Sequence, residues 1–301
     1  MACVPEECPM QILLTGVTGK TGGETARQLA LAGVPFRALV RNPAKVAALE
    51  VLTRDIVVGD IGDSAVLDSA LRGIQTALLI MPNGEQQLAL EQGFTDAAVR
   101  AGVRHLVKLS SLESVPEATN PITRMHVASE AYIRASGMHW TMLRPTFFMQ
   151  IFLGSATAIR ETNLITMPAG QGTVAATDVR DVGKVICKVL TETGHTNQSY
   201  DLTGPELLTL DEIAQRFSHV LGRQVRYVDQ PMAEFRIRLE KATLAPWRID
   251  AVCKEFEAIA AGAIDHTTGT ITRLLGRPPI SLEQFIADHR SAFQMSTPAT
   301  V

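Results

Sequence analysis

The sequence predicts a doubly wound, parallel α/β sheet followed by a smaller, mostly helical C-terminal lobe. In the first half of the chain, six short apolar runs alternate with helical patterns, and a glycine-rich turn follows the first run. The alternation stops after Pro145. Short apolar strands separated by helices of this length indicate right-handed crossovers, with helices on both faces of a parallel sheet.

Each element follows from a local pattern. The apolar runs predict strands at residues 11–15, 36–40, 56–59, 77–81, 106–110 and 140–143. The patterns between them predict helices at residues 21–32, 43–52, 64–71, 86–101 and 121–136. After Pro145 we expect a helix at 182–193, a strand at 199–203, an amphipathic helix at 209–221 and a strand at 225–229, followed by mostly helical sequence.

Composition and charge exclude several classes of partner. The chain has 301 residues, of which 46% are hydrophobic and 20% charged, as in ordinary globular proteins. A net charge of −3 gives no reason to expect a nucleic-acid partner. No apolar run approaches the ~20 residues that span a bilayer, and the first nine residues do not resemble a targeting peptide. We therefore expect a cytoplasmic protein without a membrane partner.

Metal binding is not predicted, because the four cysteines are scattered along the chain. Cys3 and Cys8 have neither a common zinc spacing nor a neighbouring histidine cluster. We interpret all four as thiols without a ligand role.

The glycine-rich turn, GVTGKTGG at residues 16–23, predicts a site for an anion. Gly16 would permit the turn, Gly19 would let a pyrophosphate approach the backbone, and Gly22 would let the helix pack closely on the sheet. Free N–H groups at the helix start would bind the anion, together with the side chains of Thr18, Lys20 and Thr21. The motif lacks the Gly-Lys-Ser/Thr ending of a P-loop, so a dinucleotide is favoured over a nucleoside triphosphate. The alternative is a tight turn without a ligand.

The end of the second strand indicates which dinucleotide binds. An NAD site usually has an acidic residue about 20 residues after the glycines. Here that strand ends in Arg41, with Lys45 four residues later, and no carboxylate stands there. A guanidinium can bind a phosphate through two hydrogen bonds. The sequence therefore favours NADP(H) over NAD(H), the alternative being a solvated arginine at a helix start.

Two further strand ends provide candidate cofactor contacts. Asp60 and Ile61 follow the third strand, where Asp60 could accept a hydrogen bond from an adenine amino group or simply cap the next helix. Met81 and Pro82 follow the fourth strand and are expected beside the nicotinamide ribose, although Pro82 could serve only to end the strand. We therefore expect a dinucleotide-binding Rossmann domain at residues 1–150. A smaller lobe at residues 151–301 would cover the substrate, with part of it returning to the Rossmann core.

Together with three later stretches, these motifs resemble the NmrA-like branch of the atypical short-chain dehydrogenases/reductases. The stretches are HVASE at 126–130, LRPTFFM at 143–149, and TGPE at 203–206 continuing to LGR at 221–223. The resemblance covers essentially the whole chain and implies a Rossmann fold with a bound dinucleotide. Similar proteins include NADPH quinone oxidoreductases, triphenylmethane reductases and ergot-alkaloid iminium reductases, but also nitrogen regulators that bind dinucleotide without turnover.

The sequence departs from the wider superfamily at the residues that usually protonate the substrate. Typical members have a Tyr-x-x-x-Lys pair on the helix after the fifth strand; this chain has His126 and Glu130 at the matching positions. A glutamate there is expected to raise the pKa of His126, which could then protonate a reduced quinone or could simply pack or cap. Ser110, which is also a candidate cofactor contact, and Ser111 could hold a substrate oxygen. Helix capping or loop hydrogen bonding is the alternative for both.

Large apolar side chains after the sixth strand are candidate walls for a flat substrate. The candidates are Phe147, Phe148, Met149 and Phe152, with Trp247 farther along the chain, and ordinary core packing is the alternative for the first four. The sequence therefore predicts an NADPH-dependent reductase of a conjugated small molecule such as a quinone, an iminium ion or a cationic aromatic compound. It would act as a monomer or homodimer without flavin or metal. The alternative is an NAD(P)-sensing regulatory protein.

Overall fold

The computed structural model describes residues 12–45, 47, 51–53, 55–113, 115 and 118–294. The strands of this part are β1 (Ile12–Leu14), β2 (Arg37–Val40), β3 (Asp55–Val58), β4 (Thr76–Leu79), β5 (His105–Leu109), β6 (His139–Pro145), β7 (Leu164–Met167), β8 (Thr173–Val174), β9 (Gln198–Leu202), β10 (Leu208–Thr209) and β11 (Arg226–Asp229).

Among the described residues, each crossover between the predicted strands contains an α-helix, except the crossover between β2 and β3. The helices are α1 (Lys20–Leu31), α2 (Ser64–Leu71), α3 (Gln87–Ala101), α4 (Pro121–Ala135), α5 (Ile151–Gly154), α6 (Ala156–Thr162), α7 (Val179–Thr191), α8 (Leu210–Leu221), α9 (Met232–Lys241), α10 (Pro246–Ala260), α11 (Thr270–Leu275), α12 (Leu282–Asp288) and α13 (Arg290–Phe293), with a 3₁₀ turn at Pro43–Lys45.

The main sheet has seven strands in the order β3-β2-β1-β4-β5-β6-β9, and neighbouring strands from β1 to β6 pair in parallel. The chain first builds outward from β1 to β3 and then returns to the other side of β1 with β4. Open sheets of this kind bind ligands at the carboxyl ends of the strands where the winding reverses. The predicted doubly wound α/β fold is confirmed, and the turn after β1 lies at the reversal.

The predicted helix at residues 43–52 is wrong in its described part. The chain forms only one 3₁₀ turn, in which Asn42 Oδ1 accepts a hydrogen bond from the Ala44 N–H at 2.9 Å. Thr53 then donates to the Phe36 carbonyl oxygen at 2.6 Å, which ties the segment back to the start of β2. The rest of that predicted helix lies outside the described residues, as do Gln11, Cys3 and Cys8.

The chain divides into two compact units. Unit 1 comprises Met1–Ser110, Met125–Leu143 and Gly183–Tyr200. Its core contains apolar side chains from strands and from the helices packed on them, among them Leu13, Leu39, Leu71, Phe94, Leu106 and Met142. Residues beyond 150 thus return to this unit.

Unit 2 comprises Ser111–Arg124, Arg144–Val182 and Asp201–Val301. In it β11 pairs in parallel with β7, and β10 pairs antiparallel with β8. Its core is rich in phenylalanine, including Phe152, Phe217, Phe285 and Phe293. Among the described residues, no helix has both the length and the apolar character needed to cross a membrane.

Candidate cofactor site

A cavity of about 490 Å³ lies in unit 1 at the carboxyl ends of β1 to β4. Four chain segments form its walls, each following one of these strands. The lining residues are Thr15, Gly16, Val17, Thr18, Leu39, Val40, Arg41, Gly59, Asp60, Ile61, Ile80, Met81, Pro82, Asn83, Gly84, Glu85, Gln86, Gln87 and Leu90. The volume is within the range of small-molecule and cofactor sites.

The glycine turn places main chain without side chains at the N-terminus of helix α1. Gly16 has a φ of +67°, and a Cβ there would lie 2.9 Å from the Ile80 side chain. A Cβ on Gly22 would lie 2.3 Å from the Gly16 carbonyl oxygen. The Gly19 N–H donates to that same oxygen at 2.9 Å. No side chain fits between the turn and the first turn of the helix.

The start of α1 is suited to an anion. Gly19 is its N-cap and provides no side-chain hydrogen bond, and the first N–H groups of a helix have no acceptor within the helix. Thr18 and Lys20 are exposed at this point, whereas Thr21 is buried. Phosphate oxygens satisfy such N–H groups and the positive end of the helix dipole.

Arg41 directly follows β2, lines the cavity and is exposed. Among the described residues, no carboxylate lies within ion-pair distance of its guanidinium. Lys45 is also exposed, in the 3₁₀ turn, but it does not line the cavity.

Asp60 and Ile61 both line the cavity. Asp60 does not cap the next helix, contrary to one alternative drawn from the sequence. Its Oδ1 accepts from the Gly62 N–H at 2.8 Å, whereas Asp63 is the N-cap of α2 and accepts from the Ala65 N–H at 2.8 Å. Asp60 remains exposed at the cavity wall.

Ser110 and Glu130 form a buried pair at the end of β5. The Ser110 hydroxyl donates to Glu130 Oε1 at 2.6 Å, and Arg134 lies 3.0 Å from Glu130 Oε2. Glu130 is therefore occupied on both oxygens by groups other than His126.

His126 is buried, and its pKa is lowered to about 3, first by burial and then by the positive charge of Lys108. The expectation that Glu130 raises this pKa is wrong, because desolvation and a buried lysine dominate. The imidazole is neutral at pH 7. Its Nδ1 has no hydrogen-bond partner among the described residues.

The remaining predicted site residues belong to unit 2. Ser111 donates to Glu113, whose pKa is raised by burial. Trp247 lines a separate cleft of about 270 Å³ together with Arg236 and Cys253. None of the other predicted aromatic residues lines that cleft.

The apolar residues after β6 divide into two pairs. Met149 and Phe152 are 1% and 0% exposed and belong to the phenylalanine-rich core, which favours the core alternative for both. Phe147 and Phe148 are partly exposed. Phe147 packs edge-on against Phe256, with ring centroids 6.5 Å apart.

A buried polar group at the start of α3 is not predicted by the sequence motifs. Gln87 lines the cavity, and its Nε2 donates to Glu91 Oε1 at 3.2 Å. The same carboxylate oxygen accepts from Lys108 Nζ at 2.7 Å, and all three side chains are buried. Burial lowers the pKa of Lys108, while the charge and hydrogen bond of Glu91 raise it. A lysine within the apolar strand β5 was the available signal, because a buried charge needs a partner.

The model of the NmrA-like family matches residues 9–286. The chain belongs to the NmrA-like family. The resemblance drawn from the motifs is thereby confirmed over nearly the full length of the sequence.

NmrA-like relatives of this chain include named reductases. An NAD(P)H azoreductase of Xenophilus azovorans is 34% identical, covering 94% of this chain and 99% of the relative. A (4-alkanoyl-5-oxo-2,5-dihydrofuran-3-yl)methyl phosphate reductase of Streptomyces griseus is 37% identical, covering 94% and 99%. The structure of the Escherichia coli NADPH-dependent quinone oxidoreductase QOR2 complexed with NADPH matches with a TM-score of 0.85 at 28% identity, covering 93% and 99%.

Proposed function

We propose that this protein is an NADP(H)-dependent reductase that transfers hydride to a conjugated small-molecule acceptor. The observation that carries the proposal is the geometry of unit 1 at neighbouring strand ends. The start of α1 follows β1 and has no side-chain cap, and the guanidinium of Arg41, which follows β2, is unpaired within the described part of the chain. The NAD(P)H azoreductase and the NADPH complex of QOR2 support the same activity and cofactor.

The residues present fit a phosphorylated dinucleotide. Main-chain N–H groups at the start of α1 would bind its diphosphate, and Arg41 would bind the 2′-phosphate. The glycines keep side chains out of the turn, so the ligand can approach the backbone. When bound, the reduced nicotinamide supplies the hydride, and the task of the chain is to hold donor and acceptor in line.

The protonation state of His126 is compatible with the proposed acceptor class. With a pKa of about 3, the imidazole is not a cationic acid at pH 7. An iminium ion becomes neutral on accepting hydride and needs no proton. Hydride addition to a quinone, an azo compound or a conjugated lactone leaves an anion, which would take its proton from water. A neutral His126 is therefore compatible with these acceptors. Phe147 and Phe148, in the segment just before the lobe at residues 151–301, are our candidates for contacts with the acceptor.

The direct test combines binding with turnover. Purified protein is titrated with NADPH in a calorimeter and then mixed with NADPH and a quinone, an azo dye, a cationic triphenylmethane dye or an alkanoyl dihydrofuranone. We expect binding and acceptor-dependent loss of the reduced-nicotinamide absorbance. Binding without turnover of any acceptor would point to the NAD(P)-sensing regulator, and no binding would contradict both functions.

The proposal also takes the cytoplasm as the location and a monomer or homodimer as the assembly. A net charge of −3 supports a small-molecule partner rather than nucleic acid. Light scattering of the purified chain tests the assembly, and a mass above that of a dimer would contradict it.

A further inference from the structure

The two ring nitrogens of His126 have different surroundings. The residue is 7% exposed, and its Nδ1 is buried without a hydrogen-bond partner among the described residues. Nε2 makes no hydrogen bond within the same part of the chain, but it retains accessible surface. Nε2 is therefore the ring nitrogen that a ligand can reach, and Nδ1 faces the protein interior.

A buried ammonium group acts on the inner side of this ring. Lys108 is 0% exposed, and burial and then the charge of this lysine lower the pKa of His126 to about 3. The Lys108 ammonium has three protons, and its one acceptor among the described residues is Glu91 Oε1, at 2.7 Å. A protonated Nδ1 would set a donor against this cation, whereas an unprotonated Nδ1 offers it a lone pair. The neutral imidazole therefore carries its proton on Nε2.

The fold places His126 at the ligand-binding edge of the sheet. It lies in the second turn of α4, the helix that follows β5. A crossover helix starts at the carboxyl edge of a parallel sheet, which is the edge where the cavity lies at β1 to β4. Ser110, directly after β5, donates to Glu130, and His126 precedes Glu130 by one helical turn. His126 is therefore close to the carboxyl end of β5, the strand that follows β4 in the sheet order.

The next step rests on the proposed function. With the 2′-phosphate at Arg41 after β2 and the diphosphate at α1 after β1, the nicotinamide end of the cofactor extends toward β4 and β5. The acceptor must meet the nicotinamide there. Preorganised hydrogen-bond donors aimed at a developing negative charge are among the largest contributions to catalysis.

We propose that His126 is a catalytic hydrogen-bond donor whose Nε2–H binds the acceptor oxygen on which negative charge develops, and that Lys108 is the positioning residue that holds the proton on Nε2. A quinone that gains hydride becomes a hydroquinone monoanion while NADPH becomes NADP⁺. Water then supplies the proton, and His126 retains its own. A cationic triphenylmethane dye becomes neutral when it gains the same hydride, so it presents no oxyanion. The ligand class of Nε2 is therefore a carbonyl acceptor.

The position of the proton is measured by nuclear magnetic resonance. Two-bond ¹H–¹⁵N spectra of protein labelled with ¹⁵N-histidine show which nitrogen of each ring is protonated at pH 7, and His126→Gln identifies the signals of His126. His105 is an internal reference. Thr141 donates its one hydroxyl proton to the His195 carbonyl oxygen at 2.6 Å, so it accepts from His105 Nε2 at 2.8 Å.

We expect the Nε2–H form for both His105 and His126 in the wild type. In the double variant Lys108→Met with Glu91→Leu, the Nδ1–H form of His126 should appear while His105 stays unchanged. An Nδ1–H form of His126 in the wild type overturns the proposal without any variant. An unchanged His126 signal in the double variant overturns the role of Lys108.

The donor itself is tested through kcat for a quinone and for a cationic triphenylmethane dye. His126→Leu removes the donor, and we expect it to lower kcat for the quinone by about tenfold or more and for the dye by about twofold or less. His126→Gln places an amide N–H near the position of Nε2 and should restore most of the quinone rate. His139→Leu is the control, because His139 is an exposed histidine at the start of β6, on the opposite edge of the sheet.

Equal losses for the two acceptors in His126→Leu overturn the role of His126, while turnover by the wild type leaves the proposed function intact. A loss of the same size in His139→Leu overturns it as well. A wild type that reduces neither acceptor overturns the proposed function itself. If His126→Leu does not fold, the spectrum of the wild type and the quinone-to-dye ratio of His126→Gln still decide the matter, and a ratio far below that of the wild type contradicts the donor role.

Discussion

At the scale of single residues, we propose that Arg41 selects NADPH over NADH. This residue is exposed at the cavity, and its guanidinium has no carboxylate partner in the described part of the chain. A charge-assisted hydrogen bond contributes about 1.5–3 kcal/mol, which corresponds to tenfold or more in affinity. We expect Arg41→Ala to weaken NADPH by at least tenfold while leaving NADH unchanged, as measured by calorimetry. Equal losses for both nucleotides would show that Arg41 does not bind the 2′-phosphate.

Gly22 is the residue of the turn with the least room for a side chain. A Cβ there would lie 2.3 Å from the Gly16 carbonyl oxygen, and backbone cannot give way as a flexible side chain can. Overpacking of this kind costs about 1–3 kcal/mol. We expect Gly22→Ala to lower the melting temperature by several degrees and to weaken NADPH binding, both followed by thermal melts with and without NADPH.

Gly93 provides the control for that change. It lies in α3, and a Cβ there would meet nothing within 4 Å. Alanine is favoured over glycine within a helix by up to about 1 kcal/mol. Gly93→Ala should therefore hold or raise the melting temperature, and a similar loss in both variants would refute the steric argument for Gly22.

At the scale of elements, the buried ion pair joins strand β5 to helix α3. Lys108 and Glu91 lie 2.7 Å apart, and removing one partner of a buried pair leaves an uncompensated charge at a cost of about 3–5 kcal/mol. We expect Glu91→Gln to lower the free energy of unfolding by this amount in urea denaturation. The double variant Lys108→Met with Glu91→Leu should recover most of the loss. A double variant less stable than Glu91→Gln would contradict this expectation, because the uncompensated charge of Lys108 would then not be the cause of the lost stability.

At the scale of the whole molecule, what the sequence predicts depends on how local each signal is. The order of apolar runs and helices is local, so the central sheet and the turn at Gly16 could be predicted. The buried cluster of Gln87, Glu91 and Lys108 depends on α3 packing against β5, where Glu91 meets Lys108 across 17 positions of sequence. No spacing rule shows that contact.

The wrong prediction for the pKa of His126 also arises from contacts between residues that are distant in sequence. The sequence shows Glu130 one helical turn away, but not that Ser110 and Arg134 occupy its oxygens, nor that Lys108 lies near the imidazole. Strand β7 was missed because its partner β11 lies about 60 residues later, at a register of Leu164 opposite Arg226. Pairing over such distances leaves little trace in a single sequence.

The stability of the chain toward acid depends on a half-buried histidine in unit 1. His105 Nε2 lies 2.8 Å from Thr141 Oγ1, and burial, with His139 and His195 nearby, lowers its pKa from 6.5 to about 4. Between those values the unfolded chain binds more protons than the folded chain, so stability falls as the pH drops from 6.5 to 4. His105→Gln should lessen that fall by about 1–2 kcal/mol, after allowance for partial exposure. Part of the loss of stability at acid pH would remain in this variant, because the pKa of His126 is lowered as well.

Unit 2 responds to pH in the opposite direction. Burial and the neighbouring Glu113 raise the pKa of Glu255 from 4.5 to about 7. Between those values the folded chain binds more protons than the unfolded chain, so this contribution is fully present below pH 4.5 and is lost as the pH rises through 7. Glu255→Gln keeps the shape and removes the charge, and we expect it to stabilise the protein by about 1–2 kcal/mol at pH 8 and very little at pH 5.

Thermal melts of Glu255→Gln at pH 5 and pH 8 measure this difference. Glu257→Gln is the control, since Glu257 is exposed on the same helix, α10. An equal gain at both pH values would contradict the assignment. Because His105 and Glu255 act with opposite slopes, the pH of maximum stability should move up in Glu255→Gln and down in His105→Gln. A shift of both variants in one direction would show that groups other than these two set the pH dependence of the chain.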